Sequence, residues 1–377
     1  MKKKVLLGFA LLLTALSASA DNSQKLRIKG ELKGFKDSVT VVMGREDKIS
    51  MPIPNGKFDF YIEVTEPKNI LLTVSKTSEG NKRVNYPICQ FVAVPNETAV
   101  ITGDSTSYDI TGSKFYQEYH EMDLMRKEAR KPLDELVNSL NASMKAGGKR
   151  DSLIKIYREK SPAAKQHAED AYFAFIKANP GNEAGATLID EFGSLEKMEE
   201  AKALLSDQVK NGRMKKIIDD PINYLKAEQE REAEAAKKQA SGVLAPDFTL
   251  NDNHGKPLKL SNLRGKYVLL DFWGSWCIWC IRGIPQMKAY YEKYKGKYEI
   301  LSIDCRDTQE KWKAALEKYQ MPWLHVYNPQ NSTILKDYGI QGFPTKILLG
   351  PDGKIVKTIV GEDPAFYTFL DETFGKK

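Results

Sequence analysis

The chain has 377 residues, 57 Lys and Arg against 50 Asp and Glu, and four cysteines. This length accommodates two or three domains, each with its own core, while four cysteines are too few for a disulfide-built scaffold. The formal charge of +7 is spread evenly and falls to +4 without the three lysines at positions 2–4, which excludes a strongly basic nucleic-acid-binding surface.

Lys2, Lys3 and Lys4 precede an apolar run at 5–16, and Ala18-Ser19-Ala20 ends the segment before Asp21. This pattern predicts an export signal over 1–20. The apolar run is too short to span a bilayer, and no later stretch reaches eighteen apolar residues. No Cys follows the cleavage pattern to carry a lipid. The expected product is secreted and soluble, and periplasmic where the host has two membranes. A retained anchor is the alternative.

Residues 21–112 read as a small β-sandwich-like accessory domain. Leu26, Ile28, Val39, Val41, Phe58, Phe60 and Ile62 stand in short alternating runs, as half-buried strands require. Pro54-Asn55-Gly56 marks a turn and suits a hairpin. Short strands separated by turn residues predict an antiparallel sandwich or barrel. No catalytic constellation falls here.

From 113 to 242 the period becomes helical. Phe115, Tyr119, Met122, Met125, Ala129, Leu133, Leu136, Leu140 and Met144 recur at steps of three and four, up to Gly147-Gly148. Pro132 lies inside this run and predicts a kink or a division. A second helix is expected over 151–177, with shorter ones around 184–192, 195–211 and 214–218. Such Met and aromatic stripes read as core. Residues 226–240, rich in Glu, Ala, Lys and Gln, read as a solvated helical linker that ends at Ser241-Gly242.

Residues 243–377 hold all five tryptophans, at positions 273, 276, 279, 312 and 323. Strands are expected at 267–273, 298–304, 324–327, 346–349 and 355–360. Helices are expected at 277–295, 308–319, 331–338 and 364–374. The alternation predicts an α/β domain whose mixed sheet is covered on both faces. Pro351-Asp352-Gly353 should join the last two strands as a hairpin.

Cys277-Ile278-Trp279-Cys280 sits where the first of these strands passes into a helix. A Cys-x-x-Cys alone also suits zinc, but a structural zinc site needs four ligands. Cys89, Cys305 and four scattered histidines supply no second close pair, and Ile281 replaces the His of a haem-attachment motif. No metal or cofactor is expected. At a helix start the exposed N–H groups and partial positive charge favour a thiolate, so Cys277 is the expected exposed attacker. Cys280, one turn in and more buried, should resolve a mixed disulfide. Asp271 lies within Leu269-Leu270-Asp271-Phe272-Trp273, where burial should raise its pKa and suit it to accept the Cys280 proton. A buried Asp satisfied by backbone donors is the bland alternative.

The segment from Asp271 to Cys280, with Pro285 behind it, resembles the active-site segment of thioredoxins, and Gly342-Phe343-Pro344-Thr345 resembles their cis-proline loop. Ala245-Pro246-Asp247-Phe248-Thr249-Leu250 and Leu260-Ser261-Asn262-Leu263-Arg264-Gly265-Lys266 are similar to the TlpA/ResA-like exported thiol–disulfide oxidoreductases, an opening shared with peroxiredoxins. The stretch from Cys277 to Pro344 is about twenty residues longer than in plain thioredoxin, as the βα insertion of that group implies. The resemblance spans 243–377 and implies a thioredoxin-like fold, a redox-active Cys277–Cys280 disulfide and a cis Pro344 beside it. It further implies Trp276, Phe343 and Pro344 at the surface that meets protein thiol or disulfide substrates, a reductant's role, and a membrane-linked electron donor. The β-plus-helical half resembles the accessory region that often precedes such domains and is a candidate for homodimerisation. Two departures stand out. Many relatives carry Glu three residues after the second Cys, where this chain has Gly283, so the acid–base role should fall to Asp271 alone. The dipeptide between the cysteines is Ile278-Trp279 rather than Gly-Pro, which alters thiolate solvation and the reduction potential. Two other readings remain open. One is a peroxiredoxin-like peroxidase, although Gly274-Ser275-Trp276 does not supply the arrangement of Pro and Thr or Ser that such sites need just before the attacking Cys. The other is a binding protein with a structural disulfide. Cys89 and Cys305 are expected to be inert free thiols.

Overall fold

Alternating apolar residues up to position 112 build eight strands in the computed structural model, which describes residues 24–35, 37–44, 47–77, 83–104 and 107–375. The export signal expected over 1–20 lies outside the described residues. The chain forms two units, one ending at Leu225 and the other starting at Lys226.

The strands of the first unit are β1 (Lys25–Leu32), β2 (Ser38–Val42), β3 (Lys48–Pro52), β4 (Lys57–Glu63), β5 (Lys68–Thr77), β6 (Arg83–Ala93), β7 (Thr98–Gly103) and β8 (Tyr108–Gly112). They form two four-stranded sheets, ordered β4-β1-β7-β8 and β3-β2-β5-β6. Burial alternates residue by residue along β4, so Phe58, Phe60 and Ile62 face the core. Two expectations are corrected here. Pairing is not wholly antiparallel, because β1 runs parallel to β7. Nor is Pro54-Asn55-Gly56 a hairpin: it is a short 3-10 turn that carries the chain from β3 in one sheet to β4 in the other.

Helices α1 (Lys114–Lys145), α2 (Arg150–Ala178), α3 (Leu195–Leu204) and α4 (Asp207–Asn211) follow. Their buried side chains, among them Tyr116, Met122, Tyr172 and Met198, join those of the strands in one hydrophobic cluster. The β and helical regions of the first unit therefore share a core. Pro132 does not divide α1, which runs unbroken from Lys114 to Lys145. Both Pro132 and Glu128, whose carbonyl loses its helical donor, are exposed, so water can satisfy that group.

Helix α5 (Lys215–Lys238) carries the chain into the second unit. The expected solvated linker is corrected at its C-terminal end. There Ala235 is buried, Lys238 Nζ donates to the Lys336 carbonyl at 2.9 Å, and Gln239 Nε2 donates to the carbonyls of Tyr338 and Gly339 at 2.9 and 3.0 Å. The second unit continues with the short strands β9 (Thr249–Asn251) and β10 (Pro257–Lys259). These are followed by β11 (Tyr267–Trp273), α6 (Ile278–Lys293), β12 (Tyr298–Asp304), α7 (Gln309–Tyr319), β13 (Leu324–Tyr327) and α8 (Ile334–Asp337). The chain ends with β14 (Thr345–Leu349), β15 (Ile355–Val360) and α9 (Pro364–Phe374). The main sheet is ordered β13-β12-β11-β14-β15. Strands β13, β12 and β11 are parallel, and β14 and β15 are antiparallel to their neighbours. Val268, Leu270 and Phe272 pack on one face beside Ile334 and Tyr338. Leu269 packs on the other, against Met287 of α6 and Phe366 and Leu370 of α9. The helices thus cover both faces, and Asp271, two residues from Leu269, lies on the face of α6.

Candidate active site

Cys277 is the N-cap of α6. Its backbone is extended, and its Sγ accepts the Cys280 N–H at 3.1 Å. That bond and the unpaired N–H groups of the first turn favour negative charge on this sulfur. Cys277 and Cys280 form a disulfide in this structure. The expected difference in burial between them is absent: each residue is 5% exposed. The side chains around them are the exposed ones, Trp276 at 50%, Ile278 at 57% and Trp279 at 49%. The bridge therefore lies at the floor of an apolar collar.

The turn before α6 is held from the end of β12. Ser275 donates through its N–H and its hydroxyl to Asp307, at 2.6 and 2.7 Å, and Trp276 Nε1 donates to the Cys305 carbonyl at 2.9 Å. The Trp276 ring meets Phe343 edge-on, with centroids 5.3 Å apart. The Phe343–Pro344 peptide is cis. Pro344 is buried and its carbonyl accepts the Gly361 N–H at 2.7 Å, while Phe343 is half-buried. Arg306 lies over the Phe343 ring, and Arg282 over Trp279. Cys89 and Cys305 are buried free thiols whose pKa values burial pushes up.

Beneath α6 the sheet carries a polar row. Asp271 pairs in register with Ser302 on β12 and Lys346 on β14, and Ser302 pairs with His325 on β13. All four residues are buried. The Ser302 hydroxyl donates to Asp271 Oδ2 at 2.8 Å and accepts from Trp323 Nε1 at 2.8 Å. Lys346 Nζ donates to Glu362 Oε2 at 2.6 Å, and the Tyr367 hydroxyl donates to Glu362 Oε1 at 2.7 Å. Burial pushes the Asp271 carboxyl above the usual carboxylate range; Lys346 and Ser302 oppose the rise and Glu362 adds to it. Burial holds His325 down to about 4, so it is neutral near pH 7. Sequence reasoning singled out Asp271 but not Lys346, Ser302, His325 or Glu362. Three of them left a partial signal as polar residues inside the apolar strands β12, β13 and β14, a signal that Glu299 and Asp304 in β12 and Thr345 in β14 share. Glu362 lies in a loop and left none. Among the described residues, no group of three or more His, Cys, Asp or Glu side chains is placed to hold a metal ion.

A mixed five-stranded sheet, a Cys-x-x-Cys disulfide on the first turn after its central strand and a cis-proline loop together define a thioredoxin-like domain. Comparison with known proteins agrees. A family model described as AhpC/TSA family matches residues 241–358. The thiol-disulfide oxidoreductase ResA of Bacillus thuringiensis (strain Al Hakam) is 37% identical over 127 residues, which are 33% of this chain and 73% of that protein. ResA of Bacillus subtilis (strain 168) is 33% identical over 129 residues, 34% of this chain and 72% of that one. Among solved structures, the thioredoxin domain of a thiol-disulfide oxidoreductase from Bacteroides vulgatus shares 33% identity. It covers 36% of this chain and 98% of its own, with a TM-score of 0.34. The chain belongs, through its C-terminal third, to the ResA-like thiol–disulfide oxidoreductases of the thioredoxin superfamily. It is an oxidoreductase, and these relatives do not favour the peroxidase reading.

Proposed function

We propose that the protein is exported to the periplasm and reduces disulfides of protein substrates through Cys277 and Cys280. In the reduced enzyme the Cys277 thiolate attacks one substrate sulfur, forming a mixed disulfide and releasing the other sulfur as a thiolate. Asp271 takes the proton of Cys280, whose thiolate attacks Cys277 and releases the second substrate thiolate. The enzyme is left with the Cys277–Cys280 disulfide, and a membrane-linked dithiol donor returns two electrons and two protons. Trp276 and Phe343 line the docking surface, and the buried Pro344 sets the loop that presents Phe343 to it. The N-terminal unit is a candidate for self-association. The observation that carries this reading is Cys277 at the N-cap of α6, its sulfur accepting the Cys280 N–H. No described helix is long and apolar enough to cross a membrane.

The test uses the full chain, a disulfide-bonded test protein and a small dithiol as donor. Cys277→Ser should abolish reduction, and Cys280→Ser should accumulate a mixed disulfide at Cys277. A Cys277→Ser variant as fast as the wild type would refute the mechanism. The equal burial of the two cysteine residues favours a second reading, a purely structural bridge. Such a bridge would resist a glutathione redox buffer, whereas a catalytic one equilibrates with it.

A further inference from the structure

Gly283 lies on α6 one turn beyond Cys280, and the space its side chain would fill is occupied. A Cβ built there would overlap the carboxylate oxygens of Glu362 and stand 2.5 Å from its Cδ. Glu362 arrives from the loop between β15 and α9. It meets the Lys346 ammonium with one oxygen and the Tyr367 hydroxyl with the other. The Lys346 side chain is 2% exposed and that of Glu362 18%, so the pair runs from the sheet interior to the solvent edge. Across the β11–β14 pairing, Lys346 stands in register with Asp271. One buried ammonium thus lies between two carboxyl groups.

We propose that Glu362 is a positioning residue for the acid–base step: from the space left by Gly283 it engages Lys346 and so governs how far that ammonium draws Asp271 into its charged form. This rests on the proton-accepting role of Asp271 proposed above. An ammonium already neutralised by one carboxylate attracts a second one less, and in a poorly solvated setting the difference is large. Glu362 raises the proton affinity of Asp271 and Lys346 lowers it. The other titratable groups facing Asp271 are Tyr367 from α9, Cys305 beyond β12, His325 in the same row and the Cys pair on α6. Tyr367, Cys305 and His325 are neutral near pH 7, since burial pushes the first two up and holds His325 at about 4. In the disulfide form the charges that act on Asp271 are therefore those of Lys346 and Glu362; in the reduced enzyme the Cys277 thiolate adds a constant negative charge, and the variants below change only the Lys346–Glu362 part.

Glu362→Gln keeps a hydrogen-bonding group beside Lys346 and Tyr367 but removes the charge. The readout is the pH dependence of reduction of a disulfide-bonded peptide by the reduced full chain, with tryptophan emission as the check on folding. The relevant acid limb is the one that Asp271→Asn abolishes. Glu362→Gln should move this limb to lower pH. Gly283→Ala should move it the same way, because the new Cβ displaces the carboxylate; a structural role for this contact would leave the limb in place while alanine strengthened the helix. The double variant G283E/E362Q returns a carboxylate to the same space and should restore the limb. A limb that Asp271→Asn abolishes but neither Glu362→Gln nor Gly283→Ala moves would overturn the role of Glu362 and leave that of Asp271 standing. A limb that survives Asp271→Asn would overturn both.

Discussion

Ser302→Ala is the substitution whose cost follows most directly from the polar row. The hydroxyl is fully buried and makes two bonds, donating to Asp271 and accepting from the Trp323 indole. Alanine leaves both partners in place and unsatisfied. Each stranded buried polar group costs about 1–3 kcal/mol, and since the two bonds share one atom their sum is about 3 kcal/mol. The missing oxygen leaves no space for repacking to recover much of this. All five tryptophans lie in the second unit, so their emission follows unfolding of that unit within the full chain. With a urea dependence of about 2 kcal/mol/M, the midpoint should fall by about 1.5 M. The hydroxyl also opposes the rise in the Asp271 pKa, so its loss should move the acid limb of activity to higher pH. A midpoint lowered by less than about 0.5 M, or about 1 kcal/mol, would show that the row does not depend on Ser302 and would refute the reasoning.

Asp304 is buried at the end of β12; burial and the neighbouring Asp307 push its carboxyl up to about 9. The folded state thus favours the protonated form, and the cost of keeping Asp304 grows as pH rises from the ordinary carboxylate range toward that value. Asp304→Asn should be neutral near pH 4 and stabilising by up to about 4 kcal/mol at pH 7, at about 1.4 kcal/mol per pH unit; equal stability of the two proteins in urea at pH 7 would contradict this. Gly339 has a φ of 61°, and a Cβ there would lie 2.8 Å from the Ala235 Cα in α5. Gly339→Val should therefore cost about 3 kcal/mol in the same tryptophan-monitored titration, and a loss below about 1 kcal/mol would mean that the α5 contact yields freely. In the first unit, Arg213 Nη2 lies 2.6 Å from both Glu97 and Glu183. Because these groups are partly solvated, Arg213→Ala should cost only about 1 kcal/mol, less at high salt, when unfolding is followed by circular dichroism.

The elements of the second unit were legible because their signals are local. Apolar runs at 267–273, 298–304 and 355–360 become β11, β12 and β15 with those bounds, and α9 begins at Pro364 as its proline and preceding Asp363 cap suggest. The helix expected over 331–338 shrinks most, to Ile334–Asp337, while the one expected over 277–295 becomes Ile278–Lys293. The first unit was less legible. Alternation marks which residues of a strand face inward, but not which strand lies beside it or in which direction, so the parallel β1–β7 pair was hidden. The polar composition of 226–240 hid the seat of α5 because its contacts are hydrogen bonds to distant carbonyls and one buried alanine, not an apolar stripe.

For the candidate site, the sequence by itself determined the chemistry on offer: two thiols one helical turn apart, a carboxyl inside an apolar strand, and a proline loop of thioredoxin type. These residues are close in the chain, or of a kind that a short motif identifies. The environment of that chemistry was settled only by the tertiary structure. Strand register aligns Lys346 and Ser302 with Asp271, and a loop far along the chain places Glu362 against Gly283. The proton affinity of a buried carboxyl depends on which charges lie within a few ångströms, and proximity of that kind is a property of the folded sheet rather than of the order of its residues.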